Sequence, residues 1–267
     1  MDTRQVSERW ERGDPYEQYV GRWSRRVAPV FLSWLRIPPG QRWLDIGCGT
    51  GALCAAIMDH CSPSWVAGVE PSGGFLNTAG ENLAGRAALH QGSATAIPLK
   101  DGSINVVVSG LVLNLVPDIR AALAEMARVT ASGGTIGAFV WDYAEKMEIM
   151  RFFWDAAVEL NPDAATLDEG IRFPLCQPQA LSELFTSASL RAVEVTAIDI
   201  PTPLESFDDY WEPFLGGQGP APTYAMSLDE VSRARLRDRI RERLPMNADG
   251  TISLAARAWA ARATVFR

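Results

Sequence analysis

In the stretch WLDIGCGTGALC (43–54), Asp45 is followed by Gly47, Gly49 and Gly51, a glycine at every second position. Glycine adopts positive φ freely and has no Cβ, so such a loop lets backbone N–H groups approach a ligand closely. Set between a strand and a helix, it also turns the helix N-terminus toward an anionic or polar group. Glu70 stands 23 residues beyond Gly47. That is close to the spacing at which an acid accepts hydrogen bonds from the ribose hydroxyls of a bound nucleoside. The same glycines satisfy a dinucleotide fingerprint if Ala52 takes its last position. Asp45 separates the two ligands. A fixed carboxylate beside the turn repels a pyrophosphate and attracts a cationic nucleoside.

Other chemistry-bearing residues are sparse. There are two histidines, His60 and His90. His60 falls at the end of the helix after the loop, away from the strand ends where α/β proteins bind ligands. His90 falls in the third strand, and neither is expected to be a base. Asp142, Tyr143 and Glu145 cluster where the fifth strand opens. Asp142 is a candidate base and also fits as a cap for the following helix. Of the four cysteines, Cys48, Cys54, Cys61 and Cys176, none forms a C-x-x-C pair, so no metal site is expected. Cys54 and Cys61 share one face of a helix and read as small buried hydrophobes.

The elements that must position these residues follow a βαβ rhythm. RWLDI (42–46), WVAGVE (65–70), AALHQG (87–92), NVVVSG (105–110) and TIGAFVW (135–141) read as strands. The fourth is apolar along its length, as a strand buried on both faces should be. ALCAAIMDHC (52–61) and DIRAALAEMARVT (118–130) read as helices between them, and the alternation predicts a parallel sheet. Before the first strand, Val27, Val30, Phe31, Trp34 and Leu35 have helical spacing. After Trp141 the rhythm breaks into helices over 144–160 and 179–188, a strand over 191–200, an arginine-rich helix and an end over 251–266 that fits a last strand, although its AARAWAAR is also compatible with a helix.

Composition sets the class. The chain has 267 residues, 47% hydrophobic and 21% charged, ordinary values for a soluble globular protein. A net charge of −7 argues against nucleic acid or an anionic membrane surface as the main partner. The run SRARLRDRIRER (232–243) does not change this. Leu236, Ile240 and Leu244 recur every fourth residue, so the helix buries a stripe and solvates its arginines. No apolar run reaches the ~18 residues of a membrane span, and the charged start has no apolar signal region. A reducing cytoplasm is the expected location.

LDIGCGTG resembles the first motif of the class I S-adenosylmethionine-dependent methyltransferases, and later motifs follow in order. GVEPS (68–72) resembles the ribose-binding acidic motif, and QGSATAIPLKDGSINVVVSG (91–110) the adenine loop and fourth strand. LNLVPD (113–118) and MARVTASGGTIGAFVWD (126–142) resemble the segments that follow. More loosely, YEQYVGRWSRR (16–26) and WDYAEKMEIMRFFWDAA (141–157) are similar to a bacterial small-molecule branch related to the quinone-biosynthesis type.

The resemblance implies a single α/β domain over 1–267 with a Rossmann-like, mostly parallel seven-stranded sheet, helices on both faces and the last strand antiparallel. Residues 1–37 would form a helical lid, 40–142 the cofactor-binding core, and 143–190 and 204–248 helical inserts on the substrate side. The implied cofactor is S-adenosyl-L-methionine. Gly47, Cys48, Gly49 and Gly51 would face its methionine part, with Asp45 beneath. Glu70 would hold the ribose, Pro71 and Ser72 the adenine face, and Ser93, Ala94, Ser109, Gly110 and Leu111 the adenine edge. Arg22 would pair with its carboxylate. Two positions depart from the pattern: Ser93 stands where aspartate is frequent, and Asn114 where histidine is.

On the acceptor side, Tyr16, Tyr19, Asn114, Trp154, Arg172, Trp211 and Tyr224 are the candidates, with Asp142 and Tyr143 for catalysis. Aromatic inserts beside the expected ligand edge point to a small apolar or aromatic acceptor. O-methylation is the first expectation, with carbon or nitrogen next. Two rivals remain: an NAD(P)-dependent oxidoreductase, and a non-catalytic cofactor-binding protein of the same fold.

Overall fold

The computed structural model describes residues 21–216 and 219–266. Helix α1 (Arg22–Leu35) precedes β1 (Arg42–Ile46), α2 (Ala52–His60), β2 (Trp65–Glu70), α3 (Gly73–Leu83), β3 (Ala88–Gln91) and β4 (Ile104–Gly110). Then come α4 (Ile119–Val129), β5 (Thr130–Trp141), α5 (Glu148–Leu160), α6 (Glu169–Arg172), α7 (Pro178–Ser187) and β6 (Arg191–Leu204). Helices α8 (Phe207–Trp211), α9 (Pro220–Ser227) and α10 (Glu230–Arg243) and strand β7 (Ile252–Thr264) complete the chain. The strands form a seven-stranded sheet in the order β3-β2-β1-β4-β5-β7-β6. The β1–β2, β1–β4, β2–β3 and β4–β5 pairs are parallel, and β7 runs antiparallel to β5. This is the Rossmann-like α/β architecture that the motifs imply.

Contacts divide the chain into two compact units. One, the sheet unit, comprises residues 24–141, 175–198 and from 258 onward. Its core is built by Trp43, Leu44 and Ile46 of β1, Val107 and Val108 of β4, and Ile136 and Ala138 of β5, all fully buried. Gly137 leaves the room that α1 needs: a Cβ there would lie 3.0 Å from both Phe31 and Leu35. Phe31 in turn packs on Phe139 with ring centroids 4.8 Å apart.

The other unit comprises the described residues up to Trp23, 142–174 and 199–257. Its centre is aromatic. Phe153 stacks on Phe214 at 4.6 Å, Trp154 meets Phe153 edge-on at 5.2 Å, and Tyr224 lies 5.6 Å from Trp154. The Tyr210 hydroxyl donates to the Ile149 carbonyl at 2.8 Å. Helix α10 buries Leu236 and Ile240, as its four-residue spacing predicts. Its arginines meet local acids and carbonyls. Arg239 and Arg243 both pair with Glu159, and Arg233 donates to the carbonyls of Ala225 and Leu228.

Three boundaries differ from the sequence expectation. β5 begins at Thr130 rather than 135, because the SGG segment is paired instead of turning freely. The Gly133 N–H donates to the Val265 carbonyl, and the Val265 N–H to that of Gly134. Helix α5 begins at Glu148 rather than 144, because residues 142–147 fold into a turn on the Asp142 carbonyl, which accepts from Lys146 and Met147. β6 continues through Pro201 and Pro203 to Leu204, which proline permits on a sheet edge.

Candidate functional site

The loop after β1 is pinned to the neighbouring strand. The N–H groups of Gly47 and Cys48 both donate to the Val69 carbonyl, at 2.8 and 3.1 Å. All three glycines adopt positive φ, 72°, 53° and 88° for Gly47, Gly49 and Gly51. Their surroundings differ. A Cβ on Gly47 would lie 2.6 Å from the Val112 side chain, and one on Gly51 would lie 2.9 Å from Leu83. Those two glycines are demanded by the protein's own packing. A Cβ on Gly49 would meet nothing within 4 Å, so this is the glycine that faces open space.

Glu70, buried at the end of β2, organises the loop from below. Its Oε2 accepts from the Gly49 N–H at 3.2 Å and its Oε1 from the Ser72 N–H at 3.0 Å. Each oxygen keeps a further lone pair for a ligand hydroxyl. The Ser72 hydroxyl caps α3 by accepting from Phe75, and the Pro71 carbonyl accepts from the Gln91 amide.

Asp45 is 1% exposed. Its Oδ2 accepts from the Cys54 thiol at 3.5 Å, while its buried Oδ1 reaches no donor among the described residues. Burial pushes this carboxyl up to about 7; the Cys54 hydrogen bond opposes the rise and the Glu70 charge adds to it. A buried carboxylate oxygen without a donor is costly unless a ligand supplies a proton donor or a positive charge. The donor set therefore fits a cationic nucleoside with free ribose hydroxyls and does not fit a pyrophosphate. Cys54 is the residue that sequence reasoning missed here. A helical cysteine in an apolar run carries no signal that it faces an acid.

The residues expected on the adenine side fall around the same strands. The Ser109 hydroxyl is fully buried and donates to the Ile46 carbonyl at 2.9 Å, so it ties β4 to β1. Gly110 makes room for Phe139, since a Cβ there would lie 2.7 Å from that ring. Leu111 holds φ 62°, and its N–H donates to the Phe139 carbonyl. The exposed Ser93 hydroxyl shares a 2.9 Å hydrogen bond with Thr95 and accepts from the Thr95 N–H; Ala94 lies between them. Asn114 sits in the turn Leu113–Leu115, and its buried Nδ2 reaches no acceptor among the described residues.

The remaining candidates belong to the aromatic unit. Tyr16 and Tyr19 lie outside the described residues. Arg22 is engaged by Asp209, 2.7 Å away, and not available as a free cation. Trp154 is fully buried, and its indole N–H is taken by Glu169, so it builds the core. Trp211 and Tyr224 are also buried, in contact with Phe214 and Trp154 respectively. Arg172 is exposed and lies over the Phe173 ring, which also meets Tyr143. Asp142 is buried. Its Oδ1 accepts from the Glu145 N–H at 3.1 Å, capping the 142–147 turn rather than α5 itself. Its Oδ2 has no partner among the described residues, and burial raises its pKa.

Sequence reasoning did not anticipate the buried acids beside Trp154. Glu169 is 2% exposed, and burial pushes it up to about 7, opposed by the Trp154 N–H. Its neighbour Asp168 pairs with Arg151 at 2.7 Å. Among the described residues no group of three or more His, Cys, Asp or Glu is arranged to hold a metal ion.

The fold and the loop together define the architecture of the class I S-adenosylmethionine-dependent methyltransferases, and the resemblance read from the motifs is borne out. Residues 44–138 match the family described as "Methyltransferase domain". The chain is 32% identical over 143 residues to a demethylmenaquinone methyltransferase of Lactobacillus johnsonii, covering 51% of this chain and 58% of that one. A demethylmenaquinone methyltransferase of Roseiflexus castenholzii is 36% identical over 113 residues, covering 42% and 46%. The chain thus spans about half the length of these curated relatives. Among solved structures, a Haemonchus contortus phosphoethanolamine N-methyltransferase 2 in complex with S-adenosylhomocysteine shares the fold. Its TM-score is 0.60 at 16% identity, covering 95% of this chain and 57% of that one.

Proposed function

We propose that this chain transfers a methyl group from S-adenosyl-L-methionine to a small acceptor, with S-adenosyl-L-homocysteine as product. The observation that carries the reading is Asp45, buried with an unsatisfied oxygen below a loop that opens at Gly49. When bound, the cofactor supplies a methyl group already activated on a positive sulfur. Asp45 supplies the opposing charge, and Glu70 offers lone pairs to the ribose. Gly49 leaves space for the methionine part, and Pro71, Ser72, Ser93, Ala94 and Leu111 flank the adenine. The matched relatives are named as methyltransferases, which supports methyl transfer as the reaction.

The acceptor in this reading is apolar or aromatic, and the relatives named for demethylmenaquinone support a ring-bearing molecule. Asp142, buried with one oxygen unsatisfied and its pKa raised, takes the acceptor proton, which favours O-methylation. Tyr143 orients the acceptor and Asn114 donates to it. No helix among the described residues is long and apolar enough to cross a membrane.

Thermal shift separates the readings: stabilisation by S-adenosylhomocysteine is expected, and stabilisation by NAD(H) alone would overturn the proposal. Glu70→Ala should weaken S-adenosylhomocysteine binding, measured by calorimetry, by roughly tenfold to a hundredfold, the value of a charge-assisted hydrogen bond. Unchanged affinity would contradict the ribose assignment. A panel of phenols, amines and carbon acids, read by mass for one added methyl, then identifies the acceptor class. A cofactor-binding protein that methylates none of them would instead favour the non-catalytic rival.

A further inference from the structure

We propose that Cys48 and Cys54 form an oxidisable dithiol inside the glycine loop, and that its closure to a disulfide shuts the loop to its ligand. The consequence for the ligand rests on the cofactor reading above; the dithiol itself does not.

Both cysteines are free, and both sit over the same stretch of β2. Cys48 packs against Gly68 so closely that a Cβ there would lie 2.5 Å from its sulfur. Cys54, near the start of α2, directs its thiol to Asp45 Oδ2 at 3.5 Å and to the carbonyl of Ala67, the residue before Gly68, at 3.9 Å. The Cys48 side chain, ahead of burial, holds the Cys54 thiol well above the usual thiol range, in keeping with two thiols packed side by side over Ala67 and Gly68. Cys48 is 6% exposed and Cys54 fully buried, so an oxidant reaches Cys48 first.

A peroxide is the oxidant the geometry suits. The Cys48 sulfur attacks the O–O bond and becomes a sulfenic acid, releasing one water. The Cys54 sulfur then attacks that sulfur. An S–S bond forms, the S–O bond breaks, and the Cys54 proton passes through Asp45 to the departing oxygen as a second water. Two thiols are oxidised to one disulfide, and one peroxide is reduced to two waters.

Closure acts on the loop because of where its freedom lies. Gly47 is wedged against Val112, whereas Gly49 has open space around it. Drawing Cys48 toward Cys54 therefore displaces Gly49, whose N–H leaves Glu70. The Asp45 carboxyl loses the thiol donor it now has. A ligand seated on the loop covers Cys48 and opposes closure, and by linkage the bridge weakens that ligand.

The test treats the whole protein with a small excess of hydrogen peroxide, alkylates remaining thiols and maps peptides without reduction. Trypsin leaves residues 43–86 as one peptide, which also contains Cys61. The expected product lacks two hydrogens, is unalkylated at Cys48 and Cys54, and is alkylated at Cys61. S-adenosylhomocysteine affinity should then fall by about tenfold or more and return on reduction with dithiothreitol. Hydrogen exchange across residues 43–57 should change in parallel. Cys54→Ala, compared before and after peroxide, should show neither change. Bridging to Cys61, or oxidation of Cys48 to a sulfinic acid without a bridge, would overturn the dithiol. A bridge that leaves exchange and affinity unaltered would overturn the gate. If the reduced protein binds no S-adenosylhomocysteine, the cofactor reading fails, while the peptide map and the exchange data still decide the dithiol.

Discussion

At the scale of single residues, Asp45 has a cost that depends on pH. Its carboxyl lies at about 7 in the folded chain against an ordinary 3.8. The folded state therefore holds the proton more tightly than the unfolded chain. This contribution to stability is fully present below 3.8 and is lost as pH rises to about 7. The loss is on the order of 4 kcal/mol for a shift of that size. Asp45→Asn keeps the shape and removes the titration. Its Tm relative to the parent should rise from about pH 5 to about pH 8. Affinity for S-adenosylmethionine should show the opposite slope in the parent, weakening below about pH 7 as Asp45 takes up its proton, and should flatten in the variant. A parent profile as flat as the variant's would remove Asp45 from the site. Asp45 and Glu70 were legible from the sequence because acids beside a glycine loop have few structural uses. Cys54, Asp168 and Glu169 were not, because their significance comes from partners brought together by folding.

At the scale of the element, three glycines that look equivalent in the sequence have different tasks. Gly47→Ala combines left-handed strain with collision against Val112 and should destabilise the protein by roughly 2–5 kcal/mol, from strain of 1–2 and overpacking of 1–3. Gly49→Ala incurs only the strain, roughly 1–2 kcal/mol, yet fills the space reserved for the ligand. Denaturant melts should rank Gly47→Ala as the less stable, and calorimetry should find the larger loss of S-adenosylhomocysteine affinity per unit of lost stability in Gly49→Ala. The reverse ranking would mean that Gly49, too, serves packing. The βαβ core was readable because strands buried on both faces are apolar throughout and the helices between them are amphipathic. The short helices between 162 and 227 were not. Four to eight residues give too little periodicity, and Asn161, Asp168 and Ser206 become recognisable as caps only once the backbone N–H donors they accept from are placed.

At the scale of the whole molecule, the mostly parallel seven-stranded sheet and the antiparallel last strand matched the expectation, and the division into two compact units was not visible in composition. No proline- or glycine-rich linker marks it, because β6 and β7 each run unbroken across the boundary. In a chain of net charge −7, four of the six arginines of α10, Arg233, Arg237, Arg239 and Arg243, meet Asp208, Glu159 or nearby carbonyls.

Pro201 and Pro203 lie two residues apart on the edge strand β6. Backbone N–H positions two apart face the same side of a strand, so both missing donors fall on one side. Edge prolines whose missing donors face outward deny an incoming strand a ladder to continue. The expectation is that Pro201 and Pro203 guard this edge against self-association in that way. Replacing both prolines by valine should restore that template and increase light scattering on warming at equal protein concentration. Scattering no greater than the parent's would place the guard in some other feature of the strand.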